Sequence, residues 1–209
     1  MRFTAFATAI VCAIATPDVA FHSMGKFDLM HAAFPAVASF EGSETFLLVS
    51  SFGMFTPGSV YVVPNLKEAI TGNTVSELKS IRIDTPNFIW PNVVEVIPHD
   101  VFNQRAIVVP DGFLVPGKNN GGVYVVTMSD SDITKSVETF QISSKKNGYF
   151  YHMGKWVDLN GDGRKDFLTA RSNAKVDGGE LVWFEHPAEG LTQSPWTEHV
   201  VTSGPDIGI

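Results

Sequence analysis

A chain of 209 residues that is 44% hydrophobic and 18% charged, with a net charge of −7, has room for one or two domains with a sizeable core. The acidic balance, and the lack of any Lys/Arg cluster longer than Lys145-Lys146, leave no electrostatic footprint for nucleic acid and exclude that partner. Eighteen Gly, twelve Pro and sixteen Phe, with Val and Ile outnumbering good helix formers in most windows, predict an all-β chain of short strands and turns.

The first element is a targeting segment. Met1-Arg2 gives a minimal positive start, and Phe3 to Ala15 is an uncharged apolar run of signal-peptide length, too short to span a bilayer. Ala13-Ile14-Ala15 is a small-x-small cleavage site before the polar Thr16-Pro17-Asp18. Residues 1–15 are therefore expected to be a signal peptide and 16–209 the secreted chain, the alternative being a buried N-terminal strand or helix. Val11, in place of a small residue before Cys12, speaks against a lipoprotein anchor. Cleavage would remove Arg2 and the single cysteine, leaving a still more acidic exported protein without disulfides. The sequence has no Asn-x-Ser/Thr sequon either.

The elements that follow repeat with a period near sixty residues. Thr45 to Val49 runs through a turn to Gly58-Ser59-Val60-Tyr61-Val62-Val63. Arg105 to Val109 runs through Gly117 to Asn120 into Gly121-Gly122-Val123-Tyr124-Val125-Val126. Asp166 to Ala170 runs through Asp177 into Gly178-Gly179-Glu180-Leu181-Val182-Trp183-Phe184. Each pair reads as strand, glycine-bearing turn, strand. Each then passes through a polar link to a further β-rich stretch, at Val75 to Ile83, Val137 to Ile142 and Trp196 to Val201. Leu47, Ile107 and Phe167 are sixty residues apart both times. Repetition of a four-strand unit predicts propeller-type blades over about 34–85, 86–145 and 146–203, with a stub at 204–209. Three unrelated hairpins of a β-sandwich are the alternative.

One link carries recognisable chemistry. Asp158-Leu159-Asn160-Gly161-Asp162-Gly163-Arg164-Lys165-Asp166 puts oxygen side chains at positions 1, 3, 5 and 9, a backbone carbonyl at 7 and glycine at the sharp turn. Hard cations such as calcium take six to eight oxygens, and alternate residues of a tight loop can supply them. Calcium is the expected occupant, the alternative being a solvated acidic turn. An EF-hand is excluded, because its position 12 would be Thr169 rather than a bidentate Glu, and Tyr149 to Val157 upstream is strand-like rather than helical.

The run from Trp156 to Leu168 resembles the FG-GAP/VCBS repeat of integrin-type β-propellers, and Leu181 to Pro187 with Trp196 to Val201 resembles the same repeats in secreted proteins. The resemblance implies a loop that clips two strands of one blade through calcium, with Asp158, Asn160, Asp162, Asp166 and the Arg164 carbonyl as ligands. Pro98 to Asn103 and Phe40 to Glu44, at the corresponding places of the earlier units, lack a full ligand set, so one metal is expected rather than three. Propellers close with about four to eight blades. Three units therefore predict an incomplete propeller: a C-terminally incomplete sequence, assembly with another chain, or an open arc prone to self-association.

Catalysis needs a nucleophile with a base, a carboxylate pair or an open metal. The sequence has no Gly-x-Ser-x-Gly and no His-Glu-x-x-His, and no catalytic residue is assigned. His152, beside Tyr149, Phe150 and Tyr151, is the most site-like histidine, because aromatic faces next to a polar group suit stacking on a sugar. His152, Tyr151 and Trp183 are thus the candidate ligand contacts, the alternative being an aromatic inner strand packed between blades. His186 and His199 read as structural parts of the repeat. The function expected is a secreted, calcium-binding, non-catalytic module for an extracellular glycan or protein. The competing class is a fragment of a sugar-active propeller enzyme of dehydratase or lyase type.

Overall fold

The computed structural model describes residues 23–205, apart from 43, 87, 114, 116, 145–147, 174 and 176. The expected signal peptide, Lys145-Lys146 and the last residues of the stub lie outside the described residues. The chain is all-β in architecture. Among the described residues, twelve strands form three four-stranded antiparallel sheets, each from consecutive strands. The first sheet contains β1 (Ala32–Ser39), β2 (Thr45–Gly53), β3 (Thr56–Val63) and β4 (Ile81–Arg82). The second contains β5 (Glu95–Val96), β6 (Ala106–Pro110), β7 (Val123–Met128) and β8 (Ser136–Gln141). The third contains β9 (Phe150–Val157), β10 (Asp166–Ser172), β11 (Gly179–Glu185) and β12 (Thr197–Gly204).

Strand register shows what the sixty-residue spacing does. Leu47 is flanked across its sheet by Val37 and Val63, Ile107 by Val96 and Val126, and Phe167 by Trp156 and Phe184. Side chains alternate between the faces of a strand, so these rows share one face of each sheet, and the rows one residue away share the other. Phe46, Leu48, Val60 and Val62 of the first sheet pack against Ile107, Val109, Val126 and Met128 of the second. Ala106, Val108, Val123 and Val125 pack in turn against Tyr151, Phe167, Val182 and Phe184 of the third. The sheets are stacked in sequence order, the leading face of each against the trailing face of the next. That is why β6 is buried at every position and reads as an unbroken apolar run, Ala-Ile-Val-Val-Pro.

The outermost faces differ. The trailing face of the first sheet, Leu47, Val49 and Val63, is covered by Leu66, Leu78, Phe27 and Leu29. Leu66 belongs to α1 (Leu66–Gly72), and here the structure corrects an expectation. The link after β3 was expected to lead into a β-rich stretch over Val75 to Ile83. It forms a helix and a 3-10 turn instead, and strand pairing is confined to Ile81–Arg82. Leu66 and Ala69, one turn apart, bury the helix on the sheet, while Asn65 and Asn73 bracket it in left-handed backbone, φ 58° and 57°. On the third sheet the leading pair Leu168 and Trp183 is half-buried, whereas the equivalent pairs Leu48/Val62 and Val108/Val125 are at most 1% exposed.

Candidate calcium loop and ligand-contact residues

The loop from Asp158 to Lys165 joins β9 to β10 at one end of the third sheet. Asp158 organises it: Oδ1 accepts the N–H groups of Gly161 (2.7 Å) and Asp162 (3.2 Å), and Oδ2 that of Gly163 (2.9 Å). Gly161 and Gly163, at φ 78° and 86°, supply the left-handed turns that fold the chain back over this carboxylate. Asn160 Oδ1 accepts the Asp162 N–H (3.0 Å), and Asp162 Oδ1 accepts the Arg164 N–H (2.8 Å). That last bond, first among its influences, holds the Asp162 carboxyl below its ordinary range. The Arg164 guanidinium pairs with Asp162 and donates through Nε to the His186 carbonyl (3.2 Å).

Asp166, the first residue of β10, is fully buried. Its Oδ2 accepts the Leu159 N–H (3.0 Å) and its Oδ1 the His186 N–H (2.9 Å), so it pins the loop to the β11–β12 connection. Every expected ligand residue therefore lies in one closed turn. Their oxygens are hard donors of the right kind for calcium, and those with a single N–H partner, Asp158 Oδ2, Asp162 Oδ1 and both oxygens of Asp166, keep a second acceptor direction. Among the described residues, however, no three His, Cys, Asp or Glu side chains converge as a metal-holding group. The turn is held by hydrogen bonds. Glu185, at the end of β11, is a neighbour the sequence did not point to: Asn160 Nδ2 reaches its Oε1 at 3.3 Å.

The three expected ligand contacts are not brought together. Tyr151 is fully buried between the second and third sheets, its ring 6.2 Å from that of Phe184, and offers no face to a ligand. Trp183 lies half-buried on the leading face of the third sheet with the His199 ring stacked on it, centroids 4.1 Å apart and planes 13° apart. His199 Nε2 lies 2.8 Å from Glu185 Oε2. His152 stands edge-on to Phe150 at 5.2 Å, at the strand ends opposite the acidic loop. There it ends an aromatic row that crosses all three sheets: Phe34, Phe52, Trp90, Phe113, Phe150 and His152. Trp90 and Phe150 in this row are buried. His186 is buried against Trp196, and burial lowers its tendency to take a proton.

Two buried charges were missed at the sequence level. Asp111 is 1% exposed and accepts the N–H groups of Ile89, Trp90 and Gly112 at 2.9, 2.8 and 2.7 Å. Desolvation nonetheless outweighs those bonds and pushes its carboxyl up. Arg171 is fully buried on the trailing face of the third sheet. Nε donates to Glu180 (2.7 Å), Nη2 lies 2.7 Å from Glu198 Oε1, Nη1 lies 3.5 Å from the Tyr151 hydroxyl, and the guanidinium sits over the Tyr149 ring. These partners hold it firmly protonated. Arg171 and Glu180 face each other in the β10–β11 hairpin, but Glu198 comes from β12, which no local pattern could place beside them.

Comparison with protein-family models, with curated proteins and with solved structures finds no match to this chain. Among the described residues, no helix is long and apolar enough to cross a membrane.

Proposed function

We propose that this chain is a secreted, calcium-binding module of FG-GAP/VCBS-type propeller blades that binds an extracellular glycan or protein without transforming it. The observation that carries the reading is the turn from Asp158 to Asp166, where four oxygen-bearing side chains are gathered in nine residues and one of them is fully buried at a strand start. In this reading Asp158, Asn160, Asp162, Asp166 and the Arg164 carbonyl hold calcium, which would offset the crowding of like charge and tie β9 to β10. Export through the segment at 1–15 fits a fold held by packing and metal rather than by disulfides. The enzymatic alternative draws less support. Glu180 and Glu198 converge, as an acid/base pair would, but both are bound to the Arg171 guanidinium, which suppresses proton exchange.

Calorimetric titration of the chelator-stripped protein with calcium tests the first half, with one site expected. Asp162→Ala should abolish the heat, and an identical melting temperature with calcium and with chelator would overturn the reading. Probing glycan arrays and extracellular-protein arrays with the calcium-loaded chain tests the second half. Turnover of a sugar substrate would replace binding by catalysis.

A further inference from the structure

At the end of the stack that carries the acidic loop, the first and second sheets part to leave a cleft of about 340 Å³. Its walls come from the β1–β2 turn (Phe40, Glu41), the β5–β6 connection (His99, Asn103, Arg105) and Asp130 of the β7–β8 turn. The corresponding place at the second junction is filled. Position 96, which lines the cleft, is Val in the second sheet, and its equivalent in the third is Trp156, packed against Phe167 and Trp196. Position 105 is sixty residues before Lys165, which closes on Asp100 of the preceding sheet's connection. Arg105 instead lies over the Phe40 ring, 5.6 Å from its centroid, and Nη1 donates to the Asp130 carbonyl at 2.7 Å. The fold therefore has a way to close this junction and leaves the first one open.

We propose that this cleft holds one neutral pyranose unit of an extracellular glycan. The inference rests on the binding reading above and gives its ligand a class and a place. The volume is at the low end for small-molecule sites and suits a single ring. The polar walls offer planar groups of both kinds: the Glu41 carboxylate as acceptor, the Arg105 guanidinium as donor, and the Asn103 amide as both. Such groups match the vicinal hydroxyls of a sugar in pairs. The guanidinium is fixed beforehand by Phe40 and the Asp130 carbonyl, so little is lost in ordering it. Formal charge narrows the class: Glu41 and Asp130 outnumber Arg105 among the lining side chains, so an anionic sugar meets net repulsion.

The test is ligand-observed NMR and calorimetry on the full calcium-loaded chain, with methyl glucoside, galactoside and mannoside, lactose, cellobiose, glucuronate and sialyllactose as probes. At least one neutral sugar should bind, in preference to the two acidic ones. Glu41→Ala and Asn103→Ala change exposed rim side chains that the core does not need, and each should weaken that sugar about tenfold. Lys67→Ala, on α1, should leave affinity unchanged. Binding unaltered in both rim variants would overturn the cleft while leaving a glycan-binding module elsewhere on the surface. Preference for the acidic probes, or no binding by protein that still responds to calcium, would overturn the sugar assignment without touching the calcium reading.

Discussion

The two junctions in this stack join similar four-stranded sheets and are held by different chemistry. Between the first and second sheets the packed rows are apolar, with Phe46, Leu48, Val60 and Val62 on Ile107, Val109 and Val126, and the buried Asp111 beyond them is met by backbone N–H groups. Between the second and third, a similar apolar layer is joined by a buried cation, two glutamates and two tyrosines, and outside it by the ion pair of Lys165 with Asp100. Hydrophobic packing tolerates approximate fit, whereas a buried ion network is stable only when every member is satisfied. The first junction can thus gape at its rim without harm to its core, and the second is committed to one geometry.

The largest expected effects break that contrast directly. Phe46→Ala at the first junction and Arg171→Ala at the second should each cost about 3–5 kcal/mol, one by leaving a cavity and the other by stranding two glutamates. The junctions should part on repair. Replacing Arg171, Glu180 and Glu198 together by Met, Leu and Leu should recover most of the loss, because a buried ion cluster seldom outperforms apolar residues of similar volume. Urea denaturation of the three variants measures this. A triple variant no more stable than Arg171→Ala would show that the network sets the register of the junction.

Next in size is the metal term. If calcium binds only the folded loop, saturation at one hundred times Kd adds about 2.7 kcal/mol, which Asp162→Ala or chelator should remove. Melting curves with and without calcium check it. The same curves on Phe46→Ala should show the calcium increment intact, since the loop belongs to the third sheet.

The smallest effect concerns the clasp. The Lys165 ammonium holds the exposed Asp100 carboxyl below its ordinary 3.8. A depressed carboxyl contributes stability above that value and loses it as pH falls through the folded value, so Asp100→Asn should be marginally destabilised at neutral pH and indistinguishable from the parent in strong acid. Salt should erase the difference, because both groups face water. A neutral-pH difference that survives high salt would mean that the clasp is more than a surface ion pair.

The all-β fold could be read from the chain because its strand pairs are written in residue types as well as spacing. The rows through Leu47, Ile107 and Phe167 mark one face in each sheet, and the acidic turn stands out for its alternating oxygens. What resisted reading depends on contacts far apart in sequence. Arg171 resembles any polar strand residue until β12 brings Glu198 beside it. Tyr151 looks like a stacking platform until the second sheet covers it. The helix over Leu66–Gly72 forms because the sheet beneath offers an apolar seat, which a local run of Asn, Lys, Glu and Thr does not announce. The opening between the first two sheets coincides with Val96 and Arg105 at places where the third sheet has Trp156 and Lys165.

Helix α1 also gives the stack a direction. By seating Leu66 on Leu47 and Val63 it finishes the first sheet as a gable end finishes a row of houses. Leu168 and Trp183, at the other end, have no such cover among the described elements beyond the His199 ring stacked on Trp183. The two ends of the described stack are therefore unlike: one is sealed by a helix, and the other presents a half-buried pair of large side chains.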